Sequence, residues 1–226
     1  MEEEIVLRRQ YEPYVKKVKG VLQASPEEFR KYVEESERKY GISDCIYRQC
    51  IEELSGVNLS QLNEDHEIRI IRPFLLTWGV MGRVLGYEGV SAIREKLEGL
   101  DEKITPLRRE NLFSVKLHEI KELVIELFDE IRQTEFKSKK GKQKEVGSTA
   151  ASKVLHLTCP NLFIMWDSAI RAKYSKTRGN GEDYFEFLVE MKEILQSFKP
   201  AIEQLQKRYG TKVTRIIDQY NWMATH

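Results

Sequence analysis

The chain has 226 residues, enough for one large or two small domains. Hydrophobic residues make up 41% and charged residues 32%, so a core can form beneath a heavily charged surface. The 37 basic and 36 acidic residues leave a formal net charge of +1, which excludes a global field for nucleic acid or membrane; a nucleic-acid partner needs a local basic patch. No apolar run approaches the length that spans a bilayer. The acidic opening Met1-Glu2-Glu3-Glu4 lacks a secretory pattern. Cys45, Cys50 and Cys159 are too few for a disulfide framework and too scattered for a zinc or iron–sulfur site, so reduced, buried thiols in a cytoplasm are expected, with no metal and no cofactor.

In chain order, nearly every stretch reads as helix, and the expected fold class is all-α. Residues 2–22 form an amphipathic helix broken or kinked at Pro13. Ser25, followed by Pro26-Glu27-Glu28, caps a helix that ends near Gly41. Ser43-Asp44 opens another, ending near Gly56. Residues 66–86 are apolar all round and predict a central helix. A short helix over 88–98, a loop over 99–111 with Pro106 and a long helix from about 112 to 134 follow. Helices over 183–197, 200–209 and 211–225 finish the chain. Sustained β-branched alternation is absent, so no sheet is expected.

Two segments carry chemistry. Lys137, Lys139, Lys140, Lys142 and Lys144 form the strongest basic cluster, and it runs through Gly147-Ser148-Thr149 into a helix over 148–157. Backbone N–H groups at such a helix start bind phosphate; the alternative is a solvated lysine run. The second segment, Phe163-Ile164-Met165-Trp166-Asp167, delivers one carboxylate from an apolar turn to the start of the next helix. Asp167 is there either a helix cap or a working group. Trp78 and Trp222 have packing readings beside the functional one, and His156 reads as a core histidine.

The order of basic loop, glycine, helix, apolar turn, aspartate and next helix resembles the helix–hairpin–helix DNA glycosylase superfamily. Gly147 through Leu157 matches the helix, and Phe163 through Arg171 the catalytic turn. The ending Asp218-Gln219-Tyr220-Asn221-Trp222 is similar to the Asp-x-x-x-Trp helix of the archaeal 8-oxoguanine glycosylase branch, and Gln143-Lys144 resembles that branch's Gln-Lys pair. The match covers roughly residues 140–226. The hairpin Gly-x-Gly is reduced to Gly147, and Ser148 or Thr149 stands where bifunctional members carry a lysine.

The resemblance implies a single helical domain over 1–226, with helical subdomains of about 1–111 and 112–226 flanking a cleft. It implies a monomer near the nucleoid, bound to double-stranded DNA with a damaged or modified base. Asp167 is then the catalytic carboxylate, with Lys144 or Lys153 as amine for a lyase step. Asp218, Gln219, Trp222, Trp166 and Trp78 form the base pocket. Lys139, Lys140, Lys142, Gly147, Ser148, Thr149 and Arg171 hold the backbone. An inactive DNA-binding relative and a helical protein-interaction domain are the alternatives. A metal-dependent nuclease is disfavoured, because no carboxylate or histidine cluster has ligand spacing.

Overall fold

The computed structural model describes residues 25–77 and 81–226; the expected helix over 2–22 and Trp78 lie outside the described residues. The fold is mostly helical. Helix α1 (Pro26–Ser55) begins with a capping box, in which Ser25 Oγ accepts from Glu28 N–H at 3.2 Å and Glu28 accepts from Ser25 N–H at 2.7 Å. It runs through Gly41 and does not restart at Ser43-Asp44 as the sequence suggested. Its inward face, Phe29, Val33, Tyr47, Cys50 and Leu54, continues across the glycine. Asp44 is drawn into a buried ion pair rather than a cap.

The expected central helix over 66–86 is helical as far as Thr77 and again from Met81, but it is not one regular helix. A turn at Glu64–His66 leads through a π-helical stretch, Glu67–Ile71, into α2 (Arg72–Thr77). Pro73 has no N–H to give to a regular ladder. Helix α3 (Met81–Gly99) bends at Gly86, whose φ of 67° suits glycine. The segment is also not apolar-buried all round: Ile70, Ile71, Phe74 and Leu75 are buried, but Ile68 and Val84 are exposed. The expected loop over 99–111 instead contains helical turns at Asp101–Ile104 and Thr105–Arg109. The long helix expected from 112 shortens to α4 (Lys121–Arg132), preceded by a 3-10 turn at Leu117–Ile120.

The lysine-rich segment is a β-hairpin, not a loop. Strands β1 (Glu135–Lys137) and β2 (Gln143–Glu145) pair antiparallel, with Phe136 opposite Lys144. Each has three residues, too short for an alternating signal. Phe136 anchors the hairpin on α3, where Gly89 leaves it room: a Cβ there would meet the ring at 3.1 Å. Helix α5 (Ser148–Thr158) follows, then α6 (Ser168–Lys173), α7 (Gly181–Ser197), α8 (Lys199–Tyr209) and α9 (Val213–Met223).

Helices α4, α5 and α7 pack around an aromatic centre. Phe128 stacks on Tyr184 at 4.4 Å, and Trp166 meets Tyr184 edge-on at 4.9 Å. Cys50 and Cys159 are buried as expected, whereas Cys45 is exposed. Among the described residues no helix is long and apolar enough to cross a membrane.

Candidate functional site

The turn that carries Asp167 is held from three sides. The Trp166 indole N–H donates to Ser148 O at 3.1 Å, and Ser152 Oγ lies 3.2 Å from both Trp166 N and Trp166 O. Tyr184 Oη donates to Ile164 O at 2.9 Å. His156, fully buried, approaches Phe163 O with Nδ1 at 2.6 Å. A carbonyl only accepts, so Nδ1 carries the proton, and Nε2 accepts from Tyr47 Oη at 2.9 Å. Burial holds the imidazole neutral, its pKa brought down to about 4. His156 is thus a core histidine that buttresses the turn.

Asp167 does two jobs. Its Oδ1 accepts from Ile170 N–H at 2.9 Å and caps α6. Its other oxygen, Oδ2, stands 3.5 Å from His226 Nε2, and the side chain is 18% exposed. The carboxylate lines a cavity of about 320 Å3, near the lower end of the roughly 300–1,000 Å3 common for small-molecule sites.

Six segments converge on this cavity: Lys153 from α5, Met165 and Asp167 from the turn, Ile170 from α6, Arg215, Asp218 and Trp222 from α9, Tyr40 from α1 and Thr77 from α2. The sequence singled out Asp167, Lys153, Asp218, Trp222 and Trp166, and all five line it. Trp166 does so as a wall: it is 1% exposed and packed edge-on against Tyr184 in the aromatic centre. Trp222 is more open and already stacks on the His226 ring, 3.7 Å between centroids.

The polar wall of the cavity is a buried charge network. Arg215 bonds Asp44 at 2.8 Å and also Asp218, one turn along α9. Burial pushes the Asp218 carboxyl up to about 6, against the pull of Arg215 and Lys153. Burial brings the Lys153 amine down to about 8, although Asp218 and Asp167 oppose this. An amine at that value is neutral in a substantial fraction of molecules near physiological pH.

Other expected site residues lie elsewhere. Gln219 is fully buried behind the network, donating to Glu37 at 2.7 Å and Asp44 at 3.1 Å, and does not line the cavity. Its amide is drawn in by those two carboxylates. Lys144 is exposed on β2 and also does not line the cavity, because the hairpin that carries it docks on α3. Lys140 and Lys142 are exposed at the hairpin tip, and Lys139 Nζ lies 5.5 Å from the Tyr87 ring centre. Gly147 caps α5 with φ of 82°, and Ser148 and Thr149 begin that helix. Ser148 Oγ and Arg171 Nε are buried without partners among the described residues, and the Arg171 guanidinium lies 5.8 Å from the Trp166 ring.

Ser36, Tyr40 and Ser43 also line the cavity, and the sequence reading missed them. Their spacing of four and three residues is a helix face, but only in an α1 that continues past Gly41. Arg215 and His226 were missed too. Among the described residues no group of three or more His, Cys, Asp or Glu side chains could hold a metal ion. No protein-family model, curated protein or solved structure matches the chain.

Proposed function

We propose that the protein is a DNA glycosylase of helix–hairpin–helix type, cleaving the N-glycosidic bond of an extruded damaged or modified base. The observation that carries this reading is the convergence of Asp167, Lys153, Asp218 and Trp222 in one cavity from three separate parts of the chain. Breaking a glycosidic bond builds positive charge on the sugar. A fixed carboxylate in a poorly solvated wall stabilises that charge without reorganising. Asp167 is fixed by its cap bond through Oδ1, and its Oδ2, 3.5 Å from His226 Nε2, is the oxygen left to face the sugar once that loose pairing gives way.

An extruded base needs an aromatic face and polar groups for its edges. Trp222 supplies the face and Asp218 a carboxyl whose raised pKa lets it accept or donate near neutral pH. The displaced position of the amine favours Lys153 over Lys144 for a lyase step. There the neutral Lys153 amine adds to C1′ as the bond from C1′ to the base breaks and the base leaves with a proton; the C1′–O4′ bond then opens, O4′ taking a proton from solvent, and the resulting iminium allows strand cleavage by loss of a C2′ proton. The basic hairpin, the start of α5 and Arg171 would hold the backbone, as phosphate contacts position without reading sequence. Removal of damaged bases in repair and attack on modified foreign DNA both fit this chemistry.

The test is incubation of the protein with duplexes carrying oxidised, deaminated, alkylated or methylated bases, followed by alkali. Alkali-labile sites at the modified position support base removal. A borohydride-trapped adduct supports an amine nucleophile. Neither product on any duplex would remove the proposal.

A further inference from the structure

A second cavity, of about 460 Å3, opens where the end of α5 meets the start of α9, and it shares no lining residue with the Asp167 cavity. Gly210, with φ of 62°, ends α8 in the left-handed region and turns the chain through Thr211 and Lys212 into α9. That helix has no side-chain cap, and Ile216 N–H makes its first intrahelical bond, to Lys212 O. The amides of Val213, Thr214 and Arg215 precede the ladder and carry the positive end of the helix dipole.

Thr211 gives an independent indication. It is 5% exposed, lines this cavity, and its Oγ1 has no hydrogen-bond partner among the described residues. A buried hydroxyl without a partner is destabilising, and an acceptor oxygen on a ligand relieves that. Charge on the wall has the same sense: Arg48, Arg108 and Lys212 face one carboxylate, Glu52. Arg108 is pinned by bonds to Val57 O at 2.7 Å and Leu54 O at 3.1 Å, and its Nε is buried without an acceptor among the described residues. Arg48 keeps a loose 3.9 Å pairing with Glu37.

We infer that this second cavity binds a phosphate group at the start of α9, with Thr211 donating its hydroxyl and Arg48, Arg108 and Lys212 supplying the charge. Several donors and an excess of cations suit an anion with three or four acceptor oxygens. The group belongs either to a small phosphate compound or to the backbone of DNA. The inference goes beyond the glycosylase reading and uses none of its side chains.

The test titrates the whole chain with inorganic phosphate, with a 5′-mononucleotide and with a short unmodified duplex, following backbone amide shifts at residues 211–215. Saturable shifts are expected. Thr211→Val should weaken binding on the order of tenfold, as for loss of one hydrogen bond to a charged group. Lys212→Gln should weaken it and flatten its salt dependence. Saturation by phosphate and the mononucleotide assigns a small compound; saturation by the duplex alone assigns a backbone phosphate. Lys212 is partly exposed, so its variant carries the test if Thr211→Val fails to fold. Absence of saturable shifts with all three probes overturns the inference. So does parental affinity in the variants that fold.

Discussion

His226 Nε2 lies 3.5 Å from Asp167 Oδ2, while the same imidazole stacks on Trp222. The two oxygens of Asp167 are therefore divided, Oδ1 to its own helix and Oδ2 to His226. The cap bond leaves room for the proposed chemistry at this residue, and a substitution can separate the two. Asn keeps an Oδ1 acceptor and Ala does not. Asp167→Ala should lower unfolding stability by about 1 kcal/mol, the usual cost of a lost N-cap, and Asp167→Asn by much less. Denaturant melts of both variants check this; equal losses would mean that the cap bond contributes nothing.

On the glycosylase proposal, Lys153 sets the pH dependence of the covalent step. Its folded pKa is depressed, from 10.5 to about 8, mainly by burial. The amine is nucleophilic only when neutral, so adduct formation should rise with pH and level off above about 8. The linkage sign agrees: between about 8 and 10.5 the unfolded chain binds more protons, so this group makes stability rise with pH across that window. Borohydride trapping as a function of pH checks the first expectation. Lys153→Met should trap nothing, and Lys144→Met should trap like the parent; the reverse would return the amine to the hairpin.

His156 opposes acid. Its folded pKa lies near 4 against an ordinary 6.5, so as pH falls through that interval the unfolded chain gains a proton that the folded chain refuses. The destabilisation is fully developed near pH 4, at about 3 kcal/mol by linkage. Asp218, raised to about 6, works the other way from about 6 down to 3.8. Melts of the parent and of His156→Gln should show that the parent loses more stability between those pH values. Parallel profiles would mean that the imidazole titrates normally.

The hairpin lysines should govern affinity without governing sequence preference. Replacing Lys139, Lys140 and Lys142 by Ala should weaken duplex binding and reduce the slope of log K against log salt by about 0.9 for each phosphate that is no longer neutralised. Fluorescence anisotropy at several salt concentrations measures it. An unchanged slope would make the hairpin a solvated surface.

The sequence was most informative where local order carried the meaning. The run from Gly147 to Asp167 and the final helix with Asp218 and Trp222 were both legible, and they meet in one cavity. What escaped depended on distant pairing. Gly41 read as a stop because glycine is a poor helix former, yet packing of Val33 and Tyr47 against the core carries α1 past it. Losing that continuity hid Ser36, Tyr40 and Ser43 from the site. Gln219 reads as an accessible polar residue beside Asp218, but Glu37 and Asp44, about 180 residues upstream, turn its amide inward. The β-hairpin was hidden because lysines dominate it and, between Glu135 and Glu145, only Phe136 signals burial.

The most direct measurement of the central claim is single-turnover base removal by the parent and by Asp167→Asn, on whichever modified duplex the parent acts upon. Duplex binding is measured alongside. Asn is nearly isosteric and retains the cap, but it lacks the charge that stabilises the sugar cation. The glycosylase account predicts a loss of roughly a hundredfold or more in rate with binding within about twofold of the parent. Equal rates in the two proteins, or no base removal by the parent on any duplex, would contradict it.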